Sequence, residues 1–157
     1  MLHRLRGDVE LEFANMAEVL EQTLPNRTAL VELSLDQPPD AWDRRAAAGV
    51  LHEWYGGVEN TLKRICKIVD RSLPSGESSH KDLLRQATQP FGQRPPVCSP
   101  EMYIRLNDYR EFRHVARHKY SIELDWGRQR PLLEMLPADH ARFVAEVRHF
   151  LDAIGAP

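Results

Sequence analysis

Arg113-His114-Val115-Ala116-Arg117-His118-Lys119-Tyr120 is the stretch on which the reading of this chain turns. Its spacing is Arg-x4-His-x-Tyr, with the polar His114 directly after the arginine. Outward on the N-terminal side, Met102, Leu106, Tyr109, Phe112 and Ala116 recur at helical spacing and form the expected buried side of one helix. Ser99-Pro100-Glu101 supplies a capping hydroxyl and a proline at the first helical position, a strong helix start. At about 100° per residue, Met102, Tyr109, Phe112, Ala116 and Tyr120 share one side, with Arg113 at its edge. Arg110 and Arg117 come next, then His114, and His118 lies furthest round. Five positions separate Arg113 from His118, so they point about 140° apart. One regular helix cannot aim both at a single phosphate. Either the helix end unwinds near His118, or another chain completes the site; the geometry gives a reason to expect a composite site across a dimer.

Further outward the chain reads as all-helical, with no strand-like alternation of any length. A first helix is expected over about 7–24, carrying Val9, Phe13, Met16, Ala17 and Leu20 and ended by Pro25-Asn26. Pro38-Pro39-Asp40 starts a long second helix, capped by Asp40, that runs through Trp42, Ala46, Val50, Tyr55, Leu62, Ile65 and Val69. Gly56-Gly57 in its middle marks a kink or a close approach by a neighbour. Leu73-Pro74-Ser75-Gly76 closes it. A short helix from about 80 to 88 follows, with Ser79 as cap, and residues 89–96 form a loop. Pro137-Ala138-Asp139 is expected to start the last helix, with Ala141, Val144, Val147, Phe150, Leu151 and Ile154 as its apolar stripe. The count is about five helices in an up-down bundle, a single domain over residues 1–157.

The 157 residues carry 42% apolar and 28% charged side chains, which fits one globular domain with a real core. The net charge of −2 does not advertise a nucleic-acid binder, but the distribution is uneven. Residues 1–40 hold three basic against eight acidic side chains, whereas residues 101–120 hold five basic against three acidic. Positive potential is concentrated at the motif, which is where a phosphate would sit. Cys66 and Cys98 are isolated and form no CxxC, as expected of a reduced, cytoplasmic setting. No signal peptide and no apolar run of bilayer length is expected.

The motif's groups suit cleavage of RNA. The internal nucleophile is the ribose 2′-hydroxyl, and an imidazole can remove its proton near neutral pH. Arginine's planar, permanent charge suits the oxygens of the phosphorane-like transition state. This chemistry calls for no metal and no cofactor, and DNA lacks the nucleophile. By position alone Tyr120 reads as a core residue, and surface basic residues usually only face solvent.

These residues resemble the HEPN family. Arg-[polar]-x3-His is its signature, and Arg-x4-His-x-Tyr is the form found in HepT-type toxins. Phe112-Arg113-His114-Val115, Arg117-His118-Lys119-Tyr120 and Leu124-Asp125-Trp126 are similar to a HepT-like branch. So are Tyr55-x3-Glu59, Pro74-x-Gly76-x3-His80-x2-Leu83-Leu84 and Arg94-Pro95. The resemblance covers roughly 50–151; residues 1–40 read as an N-terminal helix extension without a recognised motif. It implies a HEPN-like bundle that dimerises through the motif helix and brings two motifs into a basic cleft. It implies a metal-independent endoribonuclease acting as the toxin of a toxin–antitoxin pair. The implied partner is an MNT-type nucleotidyltransferase antitoxin that silences the nuclease by AMP transfer (AMPylation) to the motif tyrosine. Carried over, Arg113 positions the phosphate, His118 is the general base or acid, and Tyr120 is the AMP acceptor. His114, Arg110 and Arg117 are expected to bind RNA or support the site. The other reading is a non-catalytic HEPN module that binds a nucleotidyltransferase or nucleic acid and is itself modified.

Other patterns are weaker. His52-Glu53 begins a zincin helix, but position 56 is glycine, so HExxH fails. His140 and His149 read as surface or satisfied core residues. Trp42, Trp54 and Trp126 read as packing residues rather than base-stacking platforms. Glu59 on the long helix either pairs with a motif arginine or faces solvent.

Overall fold

The computed structural model describes residues 1–118 and 125–157, and the side chains of 114–118 are outside that description. The named elements of the described chain are all helices: α1 (Leu2–Gln22), α2 (Leu24–Val31), α3 (Ala41–Ile65), α4 (Ser79–Ala87), α5 (Pro100–His118) and α6 (Trp126–Ala153). A π-helical turn, Cys66–Asp70, extends α3.

α3 is the central element and touches α1, α4, α5 and α6. Cross-helix pairs fix the directions. Phe13 on α1 and Tyr109 on α5 both pack toward Trp54 and Phe143, on α3 and α6. Gln129 reaches the Arg44 carbonyl while His140 meets Trp54, so α3 and α6 run parallel. Arg6 bonds Asp152 and Arg148 bonds Glu10, which sets α1 antiparallel to α6. The four long helices thus make an up-down bundle, as the periodicity predicts. One aromatic from each meets at the centre, with ring centroids 4.8 Å (Trp54–Tyr109), 6.5 Å (Trp54–Phe143) and 6.0 Å (Phe13–Phe143) apart. Each such pair contributes about 0.5–1.5 kcal/mol beyond its burial.

Several sequence expectations hold at the level of single residues. Asp40 caps α3 by accepting from the Asp43 amide at 2.9 Å. Ser99 Oγ caps α5 by accepting from the Met102 amide at 3.1 Å. Met102, Leu106, Tyr109 and Phe112 are buried. Of the two adjacent glycines, Gly57 is the close approach: a Cβ there would lie 2.3 Å from Met16 Cγ, whereas one on Gly56 would meet nothing.

Other expectations are corrected. Pro25 does not end the N-terminal helical region; it occupies the first turn of α2, where its missing N–H costs nothing. The π turn that extends α3 is closed at Arg71, with a left-handed φ of 53°, ahead of Leu73-Pro74. Ser78, not Ser79, precedes α4. The last helix starts at Trp126, capped by Asp125 accepting from the Gly127 amide at 2.9 Å, and continues through Pro131 and Pro137. Leu132, Leu133 and Leu136 before Pro137, and Phe143, Val144 and Val147 after it, are buried in the same core. That shared burial outweighs the backbone bond the proline removes. Asp139 therefore starts no helix. Buried mid-helix, it accepts from Arg105 Nη2 at 2.7 Å and from the Tyr109 hydroxyl at 2.6 Å. Ala141 and Ala17 are exposed, and Phe143 and Leu5 are buried in the stripes where those alanines were expected. Among the tryptophans, Trp54 and Trp126 pack inside, whereas Trp42 is 81% exposed.

Cys66 and Cys98 are buried free thiols. Burial, reinforced by Asp70, pushes Cys66 up to about 12. Among the described residues, no helix is long and apolar enough to cross a membrane.

Candidate functional site

The site is built on Glu59. Its position on α3 is one turn beyond Tyr55, on the buried side of the helix, and only 4% of its side chain is exposed. A lone carboxylate at that depth is costly unless paired. Arg113 of α5 supplies the pair: its Nη1 donates to Glu59 Oε1 at 2.5 Å. The other carboxylate oxygen, Oε2, lies 2.5 Å from Nδ1 of His80, in the first turn of α4. An ionised carboxylate only accepts, so Nδ1 is the donor in this contact. Three helices thus converge through one carboxylate, with both oxygens used.

Exposure rises in order through the cluster. Glu59 is enclosed, the Arg113 side chain is 24% exposed and the His80 side chain 43%. The buried end is anionic and the accessible end carries a guanidinium and an imidazole. Tyr55 lines the inner side; burial, then the Glu59 charge, pushes its phenol well above the ordinary tyrosine value, against Arg110 and Arg113. Tyr55 is therefore a neutral packing residue here. Arg110 is tied down locally: its Nε donates to Asn107 Oδ1 at 3.0 Å, and Glu111 lies 3.8 Å from Nη2.

Of the residues expected at the site, Arg113 and Arg110 are described with their side chains. α5 stays helical through His118. The side chains of His114, Arg117 and His118, and Tyr120 entirely, lie outside the described residues. The pairing of Glu59 with a motif arginine, one of two readings of that residue, is the one observed. In the sequence, His80 belongs only to a resembling segment and is not among the expected site residues. Nothing in the local pattern around Ser79-His80 connects it to Glu59, 21 positions earlier; only the packing of α4 on α3 does. His140 is a satisfied core residue: its Nδ1 accepts from Trp54 Nε1 at 3.1 Å, and burial, with Arg148 nearby, holds its pKa below the usual histidine value. His149 is exposed.

Arg94, part of another resembling segment, is structural. It forms a two-pronged pair with Asp70 at 2.6 and 2.7 Å. It also donates to the carbonyls of Gln86, Gln89 and Pro95, locking the loop between α4 and α5.

The arrangement presents a fixed cation and an imidazole on a rigid carboxylate anchor beside the end of α5. Such a set can hold a phosphodiester and move protons near it. A family model described as HepT-like protein matches residues 46–154. No curated protein and no solved structure matches the chain.

Proposed function

The chain belongs to the HepT-like family, and from that membership we propose that it is the toxin of a toxin–antitoxin pair, an endoribonuclease acting through Arg113 and His118. The observation that carries this reading is the Glu59–Arg113 pair. It anchors the motif arginine from behind, through Nη1, and leaves the rest of the guanidinium for an incoming phosphate.

In the proposed reaction the 2′-oxygen attacks the adjacent phosphorus as a histidine base takes its proton. The 2′-oxygen–phosphorus bond forms, the bond to the 5′-oxygen breaks, and a protonated imidazole delivers a proton to that leaving oxygen. The products are a 2′,3′-cyclic phosphate and a free 5′-hydroxyl. Arg113 holds the equatorial oxygens as charge gathers on them. His118 is the base or acid. With α5 regular through His118, the angular separation of about 140° from Arg113 favours a site completed by the motif of a second copy. His114, Arg110 and Arg117 add positive charge along the RNA path, with Arg110 in a supporting position because Asn107 holds it.

Silencing is proposed to act on the same site. A nucleotidyltransferase antitoxin would transfer AMP from ATP to the Tyr120 oxygen, releasing pyrophosphate. The adenylyl group would add bulk and negative charge seven positions beyond Arg113 in the sequence and compete for the guanidinium.

The test is RNA cleavage by purified protein in EDTA, alongside growth on induction. Wild type cleaves RNA in chelator and slows growth; Arg113→Ala and His118→Ala do neither. Equal toxicity of all three removes the catalytic reading. Loss of cleavage in EDTA replaces the mechanism with a metal-dependent one.

A further inference from the structure

On the opposite side of α3 from Glu59, the chain builds a second concavity. Val50 is nine positions before Glu59, about 180° round the helix. A cavity of about 400 Å³ opens there between α2, the start of α3 and Leu133 of α6. Its apolar lining includes Leu30, Ala47, Val50 and Leu133, and Trp42 stands at its side, 81% exposed. Arg27 also lines it, although that residue is only 9% exposed.

Arg27 is the anomaly. Its Nε is buried with no hydrogen-bond partner among the described residues. Burial alone acts on its charge and lowers its pKa, with no carboxylate close enough to oppose that effect. Asp43 shares the lining but does not pair with it. Buried guanidinium groups are ordinarily paired, and a native exception calls for an explanation. Seven of its eleven lining residues, Arg27 and Trp42 among them, precede the segment matched by the HepT-like family model.

We propose that the cavity is a binding site for a small organic monocarboxylate with a flat apolar body. The carboxylate pairs with Arg27, and the body lies against Trp42, Val50 and Leu133. The cavity volume falls in the range of small-molecule sites. One unpaired cation calls for one anion. Asp43 on the same lining opposes a second negative charge, which excludes nucleotides and other polyphosphates. An exposed indole beside an apolar floor suits a planar body.

The test titrates the full-length protein by calorimetry with naphthoate and with its neutral isostere naphthamide. Wild type binds naphthoate saturably, one per chain, and naphthamide about tenfold more weakly or worse, the loss of one charge-assisted pair. Arg27→Gln, checked for fold by circular dichroism, binds the two equally. Trp42→Ala weakens both to the same degree. Equal affinity for acid and amide in wild type, absence of saturable binding, or an acid preference surviving in Arg27→Gln each overturns the proposal. So does concentration-dependent self-association abolished by Trp42→Ala, because that outcome assigns the surface to a second copy. The wild-type comparison needs no variant, so a fold defect cannot obscure the result, and it is independent of nuclease activity.

Discussion

At the residue scale, Glu59 and Asp70 are both enclosed carboxylates paired with an arginine, and they do different work. Glu59 orients a motif arginine. Glu59→Gln keeps the shape but removes the charge facing Arg113 and His80. Water reaches part of Arg113, which softens the loss, and we expect a destabilisation of about 2 kcal/mol in urea unfolding. Cleavage of RNA is expected to fall roughly a hundredfold as the guanidinium loses its anchor; unchanged cleavage would separate Glu59 from the chemistry. Asp70 is a matter of stability alone. Its burial opposes ionisation, but hydrogen bonds from Arg94 and Gln86 prevail and hold its carboxyl below the usual range. A lowered folded-state pKa means its contribution is complete above the unfolded value of about 3.9 and drains away as pH falls through the folded one. Asp70→Asn should therefore lower stability at neutral pH and flatten the acid limb of the stability–pH curve. A variant with the wild-type acid limb would show that other carboxylates govern it. The sequence made Arg113 legible because motif spacing is local. Its partner was harder: Glu59 is 54 positions away, His80 meets the same carboxylate from 21 positions along the chain, and only three-dimensional packing relates the three.

At the element scale, the caps Asp40 and Ser99 and the helix-starting Pro100 read correctly, whereas the Ser79 cap and the boundaries drawn at Pro25 and Pro137 did not. Asp40 and Ser99 act on amides three residues ahead, so sequence suffices to find them. The cost of a proline within a helix is also local, but what offsets it is distant. Pro137 stays inside α6 because leucines before it and Phe143 after it enter one core. Gly57 has the reverse character: the residue advertises a close approach, but only the fold says that Met16 of α1 makes it. Gly57→Ala puts a methyl against the Met16 stem in a filled interior. We expect a cost of about 1–3 kcal/mol in thermal or urea unfolding, while Gly56→Ala, which meets open space, is neutral or mildly stabilising. Equal effects at the two positions would contradict the packing of α1 on α3.

At the scale of the whole molecule, composition and periodicity predicted an all-helical bundle, and the role of the N-terminal region was the part left unread. If the composite site is right, sedimentation at micromolar concentration should find two chains per particle, and mixing Arg113→Ala with His118→Ala protein should restore part of the cleavage each lacks alone. A monomer that cleaves RNA would dismiss the shared site. α1 meanwhile is no appendage: Leu5, Val9, Phe13, Met16 and Leu20 are all buried, although the family match begins only at residue 46. A fragment spanning 46–154 would bare the sides of α3 and α6 that α1 covers, including Phe143. Such a fragment should be recovered as aggregate or as a loosely packed, dye-binding state, and adding α1 back as a separate peptide should rescue its solubility. The boundary of kinship and the boundary of the cooperative folding unit thus fall at different places along this polypeptide, and trimming it to the former would sacrifice the latter.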